Sequence, residues 1–327
     1  MKPSNDISII CAPFSVGCPN NAAKDGPAAL LKAGLLEDLV ELGFTVKIIK
    51  PPFSESAVGR TGESAKKNRI KNIDTILKIT EWLANTVSNE IKNGAIPLTI
   101  GGDHSLAIGT IAGIHDVINN FGVLWIDRHF DAHSPKNTPS WRAHGMPTAV
   151  AIADKKYDPH PDFQKLLQIG ENKKLPKVKP ENFVHFAIGE KSLVKPKTKW
   201  YLMEHIDELG IKKVIDDAIN YLLKRVKYVY IAWDIDSMNI TGTGTSGDSQ
   251  LNLREGLVMA RAIGKKIRAS GRLAGIEFME IAPRLERKDL KGQTVSWASE
   301  LALTCFGSNL FNNYSRMTRN INMHAKD

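Results

Sequence analysis

The chain has 327 residues, 42% of them hydrophobic and 24% charged, and a formal net charge of +9; this is ordinary for a globular protein with a sizeable core and excludes a fibrous or low-complexity chain. No apolar stretch approaches the roughly 18 residues that span a bilayer, and Met1-Lys2-Pro3-Ser4-Asn5-Asp6 lacks the apolar core of a secretion signal, so a cytoplasmic protein without a membrane partner is expected. Cys11, Cys18 and Cys305 show no ligand spacing and read as reduced thiols, and the lysine pairs Lys66-Lys67, Lys173-Lys174 and Lys265-Lys266 lack the interleaved aromatics that stack bases, so no nucleic-acid partner is expected.

In chain order, Ile7 to Cys11 is a short apolar run of strand type. A helix is expected from Pro27, suited to a first turn, through Leu42 to the stop at Gly43, and Val46 to Ile49 follows as a strand. Asn72 to Ile91 carries a broad apolar stripe that predicts a helix. Strands are expected at Ile96–Ile100, Gly122–Ile126, Phe183–Ile188, Tyr228–Trp233 and Gly275–Met279, with helices at Arg254–Ala269 and Ser296–Phe306. Such alternation predicts an α/β fold with a mostly parallel sheet covered on both faces, and no linker divides the chain.

Three of these runs end in clustered metal-ligand residue types. Ile100 leads to Gly101-Gly102-Asp103-His104-Ser105, Ile126 to Asp127-Arg128-His129-Phe130-Asp131-Ala132-His133, and Trp233 to Asp234-Ile235-Asp236. A continued period of two would put Asp127, His129 and Asp131 on one face, and likewise Asp234 and Asp236. The C-terminal strand ends of an open parallel sheet form its ligand crevice, so His104, Asp127, His129, Asp131, Asp234 and Asp236 are expected to share one site. Four carboxylates and two imidazoles are enough for two divalent ions with bridging carboxylates, and oxygen-rich coordination suits manganese first, with nickel, cobalt and iron as the alternatives that the ligand types also admit. Asp-x-Asp and Gly-Gly-Asp-His also occur as helix caps, and it is their coincidence at three strand ends that points to a metal.

These motifs, with His144-Gly145-Met146-Pro147 and Ile276-Glu277-Phe278-Met279-Glu280-Ile281-Ala282-Pro283, resemble the ureohydrolase family, most closely its arginases. The resemblance runs from Ala12-Pro13-Phe14 to Cys305-Phe306-Gly307. It implies one ureohydrolase domain over 1–327, folded as a three-layer sandwich around an eight-stranded parallel sheet, and a homo-oligomer, trimer or hexamer. It also implies two Mn(II) per chain, one held by His104, Asp127, Asp131 and Asp234 and the other by Asp127, His129, Asp234 and Asp236. Glu280 would bind the guanidinium of a small-molecule substrate, Asp131 would take a proton from the attacking water and pass it to the leaving amine, and His144 would shuttle protons. Outside the resemblance, Glu280 is equally placed to pair with Arg284 or Arg287.

Several positions depart from the arginase pattern. His133 stands in place of an asparagine that contacts the amino-acid end of the substrate, Ser192 and Val194 in place of acidic residues, and Glu190 is a nearby substitute; Ser140 matches a serine of the carboxylate pocket. Arg128, Asn239 and the loop Thr241-Gly242-Thr243-Gly244-Thr245-Ser246-Gly247 are also unusual. The expected reaction is hydrolysis of L-arginine to L-ornithine and urea. Its alternatives are hydrolysis of agmatine, a guanidino acid or formimidoylglutamate, or a noncatalytic sensor that keeps the fold.

Overall fold

The computed structural model describes residues 4–54, 68–154, 156–190, 192, 194–244 and 250–309. Among the described residues, eight strands, β1 (Asp6–Ala12), β2 (Thr45–Ile49), β3 (Ile96–Gly101), β4 (Phe121–Ile126), β5 (Phe183–Ile188), β6 (Lys199–Leu202), β7 (Tyr228–Asp234) and β8 (Leu273–Met279), form one sheet in the order β2-β1-β3-β8-β7-β4-β5-β6. Every pairing is parallel. The α/β class and the parallel sheet are as expected.

Alternate strand residues build two separate cores. Leu124 and Ile126 of β4 and Ile231 and Trp233 of β7 pack on one face, while Val123, Trp125, Tyr230 and Ala232 pack on the other. The first face is covered by helices including Ile211–Leu223, Leu253–Ile263 and Gln293–Cys305, the second by Ile73–Lys92 and Ala107–Val117. A strand buried on both faces has no polar side to show, which is why these runs read as continuous apolar segments.

The structure corrects several expected elements. The helix from Pro27 to Leu42 is two helices, Gly26–Lys32 and Leu35–Glu41, because Gly34 adopts a left-handed φ of 90° that no continuous helix accommodates. The expected helix Arg254–Ala269 is α-helical only over Leu253–Ile263 and continues as a π-helical turn, Gly264–Arg268. Strand β6 was not expected: four half-exposed residues at a sheet edge lack the apolar run of a central strand. The helix Ala107–Val117 was also not expected, since it is buried on nearly every side and shows no stripe. No helix among the described residues is long and apolar enough to cross a membrane.

His115, near the end of that helix, is buried, and burial with the nearby Lys177 charge pushes its imidazole down to about 4 from an ordinary 6.5. A folded-state value below the unfolded one means the unfolded chain binds the proton more readily. Stability from this group is complete above about pH 6.5 and is lost as the pH falls toward 4. We expect the melting temperature of the metal-free protein to drop across that window, and the drop to be shallower in His115→Gln; parallel pH profiles for the two proteins would exclude His115 as a source.

Candidate metal centre

The site lies at the C-terminal ends of β3, β8, β7 and β4, four consecutive strands at the middle of the sheet. Behind β3, Gly102 donates its N–H to Ala12 O, and a Cβ there would sit 1.8 Å from Phe14 O, so only glycine lets the chain turn so close to β1. Asp103 then caps the short 3₁₀ turn His104–Leu106 by accepting from Ser105 N at 2.9 Å, and it also accepts from Gly17 N at 2.8 Å. His104 is thereby aimed across the strand ends.

The ligand-type residues do converge, though not by strand alternation. β4 stops at Ile126, and Asp131 adopts a left-handed φ of 46°. β7 stops at Asp234, whose carboxylate accepts from Asp236 N at 2.8 Å and caps the 3₁₀ turn Ile235–Ser237. The expected period of two is therefore replaced by two hydrogen-bonded turns. Single-face alternation needs extended backbone, and neither segment has it.

His104 Nδ1 lies 3.0 Å from Asp127 Oδ2, 3.3 Å from Asp131 Oδ2 and 3.2 Å from Asp234 Oδ2. His129 Nδ1 lies 3.4 Å from Asp127 Oδ1 and 3.0 Å from Asp236 Oδ2. Among the described residues two groups have metal-holding geometry, His104 with Asp127 and Asp131, and Asp127 with His129 and Asp236. Asp127 belongs to both and turns a different oxygen to each.

Electrostatics make the cluster a poor resting place for its own charges. Burial works against an imidazolium at His104 and at His129, yet the surrounding carboxylates outweigh it and hold both well above their ordinary value. Burial and the Asp127 charge push Asp131 up to about 7, and burial with the Asp236 and Asp127 charges holds Asp234 well above the usual carboxylate range. Each group shares protons that a divalent cation would displace. His104 Nδ1 makes no hydrogen bond of normal geometry despite three oxygens within 3.3 Å. That unmet nitrogen and the mixed imidazole-carboxylate donor set fit two divalent ions. Since ligands bind deprotonated, metal affinity should fall as pH drops below about 7, where Asp131 and both histidines hold protons. Calorimetric titrations with Mn(II) at pH 8 and pH 6 check this; equal affinity with no proton release would contradict it.

Side chains behind the ligands hold them in place. Trp125 stacks on His104, centroids 4.0 Å apart and planes 9° off parallel, and donates its Nε1–H to Asp127 Oδ2 at 2.9 Å. Glu277 on β8 is fully buried with neither carboxylate oxygen hydrogen-bonded, and Oε1 lies 3.7 Å from His104 Nε2. Neither residue was singled out from the sequence. The available signal was Glu277 itself, a charge inside the apolar run of β8.

Glu280 follows β8 with a left-handed φ of 61° and is 2% exposed. Its Oε1 accepts from His104 N at 3.0 Å, while Oε2 has no hydrogen-bond partner. Burial, with the charges of Asp234 and Asp103, holds its carboxyl well above the usual range. The alternative pairing with arginine does not occur, because Arg284 binds Asp25 at 3.0 Å and Arg287 binds Asp289 at 2.6 Å. Gly244 supplies the space for Glu280, since a Cβ there would lie 1.9 Å from Oε2.

Glu280 lines a cavity of about 160 Å³ together with His104, His129, Asp131, His133, Ser140, His144, Glu190 and Asp234. His144 departs from a near-neutral titration: burial and the charges of His129 and His104 push it down to about 3, so its imidazole is neutral at ordinary pH. Ser140 accepts from Arg142 N at 3.2 Å, and Glu190 accepts from Phe130 N at 3.0 Å. Ser192 lines a separate cavity of about 500 Å³ that meets the first at Glu190, and Val194 packs with Phe130 in an apolar cluster. The Arg128 carbonyl accepts from Gly189 N and Glu190 N, and Asn239 donates its N–H to Leu251 O at 2.7 Å. Thr245, Ser246 and Gly247 lie outside the described residues.

Fold and site together define a metal-dependent hydrolase of the parallel α/β type. The arginase family model matches residues 5–307. Human arginase-1 is 34% identical over 315 residues, covering 93% of this chain and 94% of that protein, and the Bacillus caldovelox arginase is 33% identical over 322 residues, covering 95% and 100%. The native structure of the latter superposes with a TM-score of 0.81 at 32% identity, over 95% of this chain and 100% of that one. The chain belongs to the arginase family, and with it to the amidinohydrolases.

Proposed function

We propose that this protein is a single-domain, cytoplasmic, binuclear manganese arginase that hydrolyses L-arginine to L-ornithine and urea and assembles as a trimer or hexamer. The observation that carries the reading is Glu280, a buried carboxylate with one unpartnered oxygen, set in the same cavity as His104, His129 and Asp131 of the two ligand groups that Asp127 joins. His104, Asp127, Asp131 and Asp234 would hold one ion and Asp127, His129, Asp234 and Asp236 the other. When bound, two such ions supply Lewis acidity and lower the pKa of a water enough for it to attack carbon near neutral pH.

The side chains do the rest. Glu280 accepts paired hydrogen bonds from the planar guanidinium and points its carbon at the cluster, so orientation and charge complementarity come from one residue. Asp131 accepts the proton of the attacking water and delivers it to the departing amine nitrogen. His144 lines the cavity as a neutral imidazole and would pass protons on to solvent without holding them. His133, Ser140 and Glu190 form the wall where the amino-acid end of the substrate would lie.

A second reading is hydrolysis of a guanidino compound without an α-amino group. It is favoured by Ser192 and Val194, whose placement outside the cavity leaves Glu190 as the acidic residue on that wall. Turnover of L-arginine, agmatine, guanidino acids and formimidoylglutamate with added manganese separates the two. Faster or comparable hydrolysis of any of these that lacks the α-amino group would overturn the arginine assignment.

A further inference from the structure

The loop that carries His129 and Asp131 is not part of the sheet, and Asp131 sits at a φ of 46°, in the left-handed region that L-residues rarely adopt. Such conformations persist only where surrounding groups over-determine them. Here the constraints fall on the intervening residue, Phe130. Its N–H is held by Glu190 Oε1 at 3.0 Å, and its carbonyl lies 3.2 Å from Nε2 of His185, a fully buried side chain on β5. The next carbonyl, that of Asp131, accepts from Thr148 N at 3.0 Å.

The hydrogen-bond directions around His185 follow from its partners. Nε2 has two oxygens in reach, Phe130 O at 3.2 Å and Thr148 Oγ1 at 3.3 Å; the carbonyl is the nearer and can only accept, and it is satisfied when Nε2 carries the proton, in which case Nδ1, 2.9 Å from Thr198 Oγ1, accepts from that hydroxyl. The Thr198 oxygen in turn accepts from Trp200 Nε1 at 2.9 Å, which leaves its one proton for His185. Burial keeps the imidazole neutral, pushed down to about 3. The relay from Trp200 through Thr198 and His185 to Phe130 O therefore has a single consistent polarity. Phe130 and Phe183 enclose the ring at 5.1 Å and 4.8 Å between centroids, and the other polar neighbour of Nε2, Thr148 Oγ1 at 3.3 Å, belongs to the residue whose N–H holds the Asp131 carbonyl of the same loop.

We propose that His185 is a positioning residue of the metal centre, whose Nε2–H holds the Phe130 carbonyl so that the loop presents His129 and Asp131 to the ligand cluster. The inference rests on the metal-binding reading of that cluster. Partners of this kind commonly contribute 10- to 100-fold in metal affinity.

The test compares wild type, His185→Phe and His185→Gln by calorimetric Mn(II) titration, by thermal unfolding without metal, and by steady-state kinetics. Phenylalanine fits the aromatic surroundings but has no donor, whereas glutamine places an N–H at the reach of Nε2. Mn(II) affinity should fall 10- to 100-fold in His185→Phe and recover at least partly in His185→Gln, with kcat following the affinity and KM unchanged. Metal affinity equal to wild type in His185→Phe overturns the proposal, as does a His185→Gln protein as impaired as His185→Phe. If His185→Phe does not fold, Thr198→Val decides, since it keeps the ring and removes the hydroxyl that fixes its tautomer. A lower Mn(II) affinity supports the proposal there and an unchanged one overturns it. Failure of wild type itself to bind Mn(II) would instead overturn the metal reading.

Discussion

Glu280→Gln should lower kcat/KM by about 10²–10³-fold, the expected cost of removing one partner from a buried charge pair. The substitution keeps size and the acceptor for His104 N, and the backbone is held independently by Glu280 N donating to Gly102 O at 2.8 Å and by Gly244 N donating to Glu280 O at 3.3 Å. What changes is the second oxygen, now unpartnered in the cavity. An amide there brings N–H groups against a guanidinium that has only donors to offer, and it removes the negative charge. Metal content should be unchanged, because Glu280 is outside both ligand groups. The metal-free protein should be more stable than wild type near neutral pH. A carboxyl held well above its usual range in the folded state costs stability when ionised, and that cost is present above the ordinary value and disappears with the glutamine. Activity within tenfold of wild type, with metal bound, would remove Glu280 from the proposed mechanism.

Asp127→Asn should abolish both metal sites together and leave activity below about 10⁻³ of wild type, consistent with the several kcal/mol that metal ions contribute at such centres. Both carboxylate oxygens are already oriented by donors, Oδ2 by Trp125 Nε1 at 2.9 Å and Oδ1 by His129 N at 2.7 Å, and each faces a different histidine. An asparagine must turn its NH₂ toward one of those donors whichever way it lies, so one side loses its ligand outright, and the oxygen left to the other side is an uncharged amide in place of a carboxylate and too weak to hold the second ion. Elemental analysis after dialysis against Mn(II) checks the prediction, alongside Asp236→Asn as a comparison. Asp236 belongs to one group only, so that protein should retain more metal than Asp127→Asn. Two ions retained by Asp127→Asn would show that it does not bridge.

The sequence carried the chemistry further than the geometry. Continuous apolar runs ending in His104, Asp127 and Asp234 mark central strands of a doubly covered sheet, and the residue types at their ends specify what they can hold. The helix Ile211–Leu223 was equally legible, with Val214, Ile215, Ala218, Ile219 and Leu222 on one face, although it was not among the expected elements. Strand β6 was not legible, because an edge strand of four half-exposed residues buries too little apolar surface to leave a pattern.

Residue type and spacing by themselves thus determined the fold class and the ligand-bearing segments, since burial periodicity and metal-ligand chemistry are both local properties of the chain, while the carboxylate proposed to meet the guanidinium came from the family resemblance. Tertiary structure alone decided how those groups meet. Asp131 and Glu280 reach the site through left-handed backbone that no pattern announces, and it is held by distant partners: Thr148 and His185 beneath one loop, Gly102 and Gly244 around the other. Strained backbone persists only where surrounding groups over-determine it, and those groups, on a helix, a strand and two loops, are neighbours in the fold and not in the sequence.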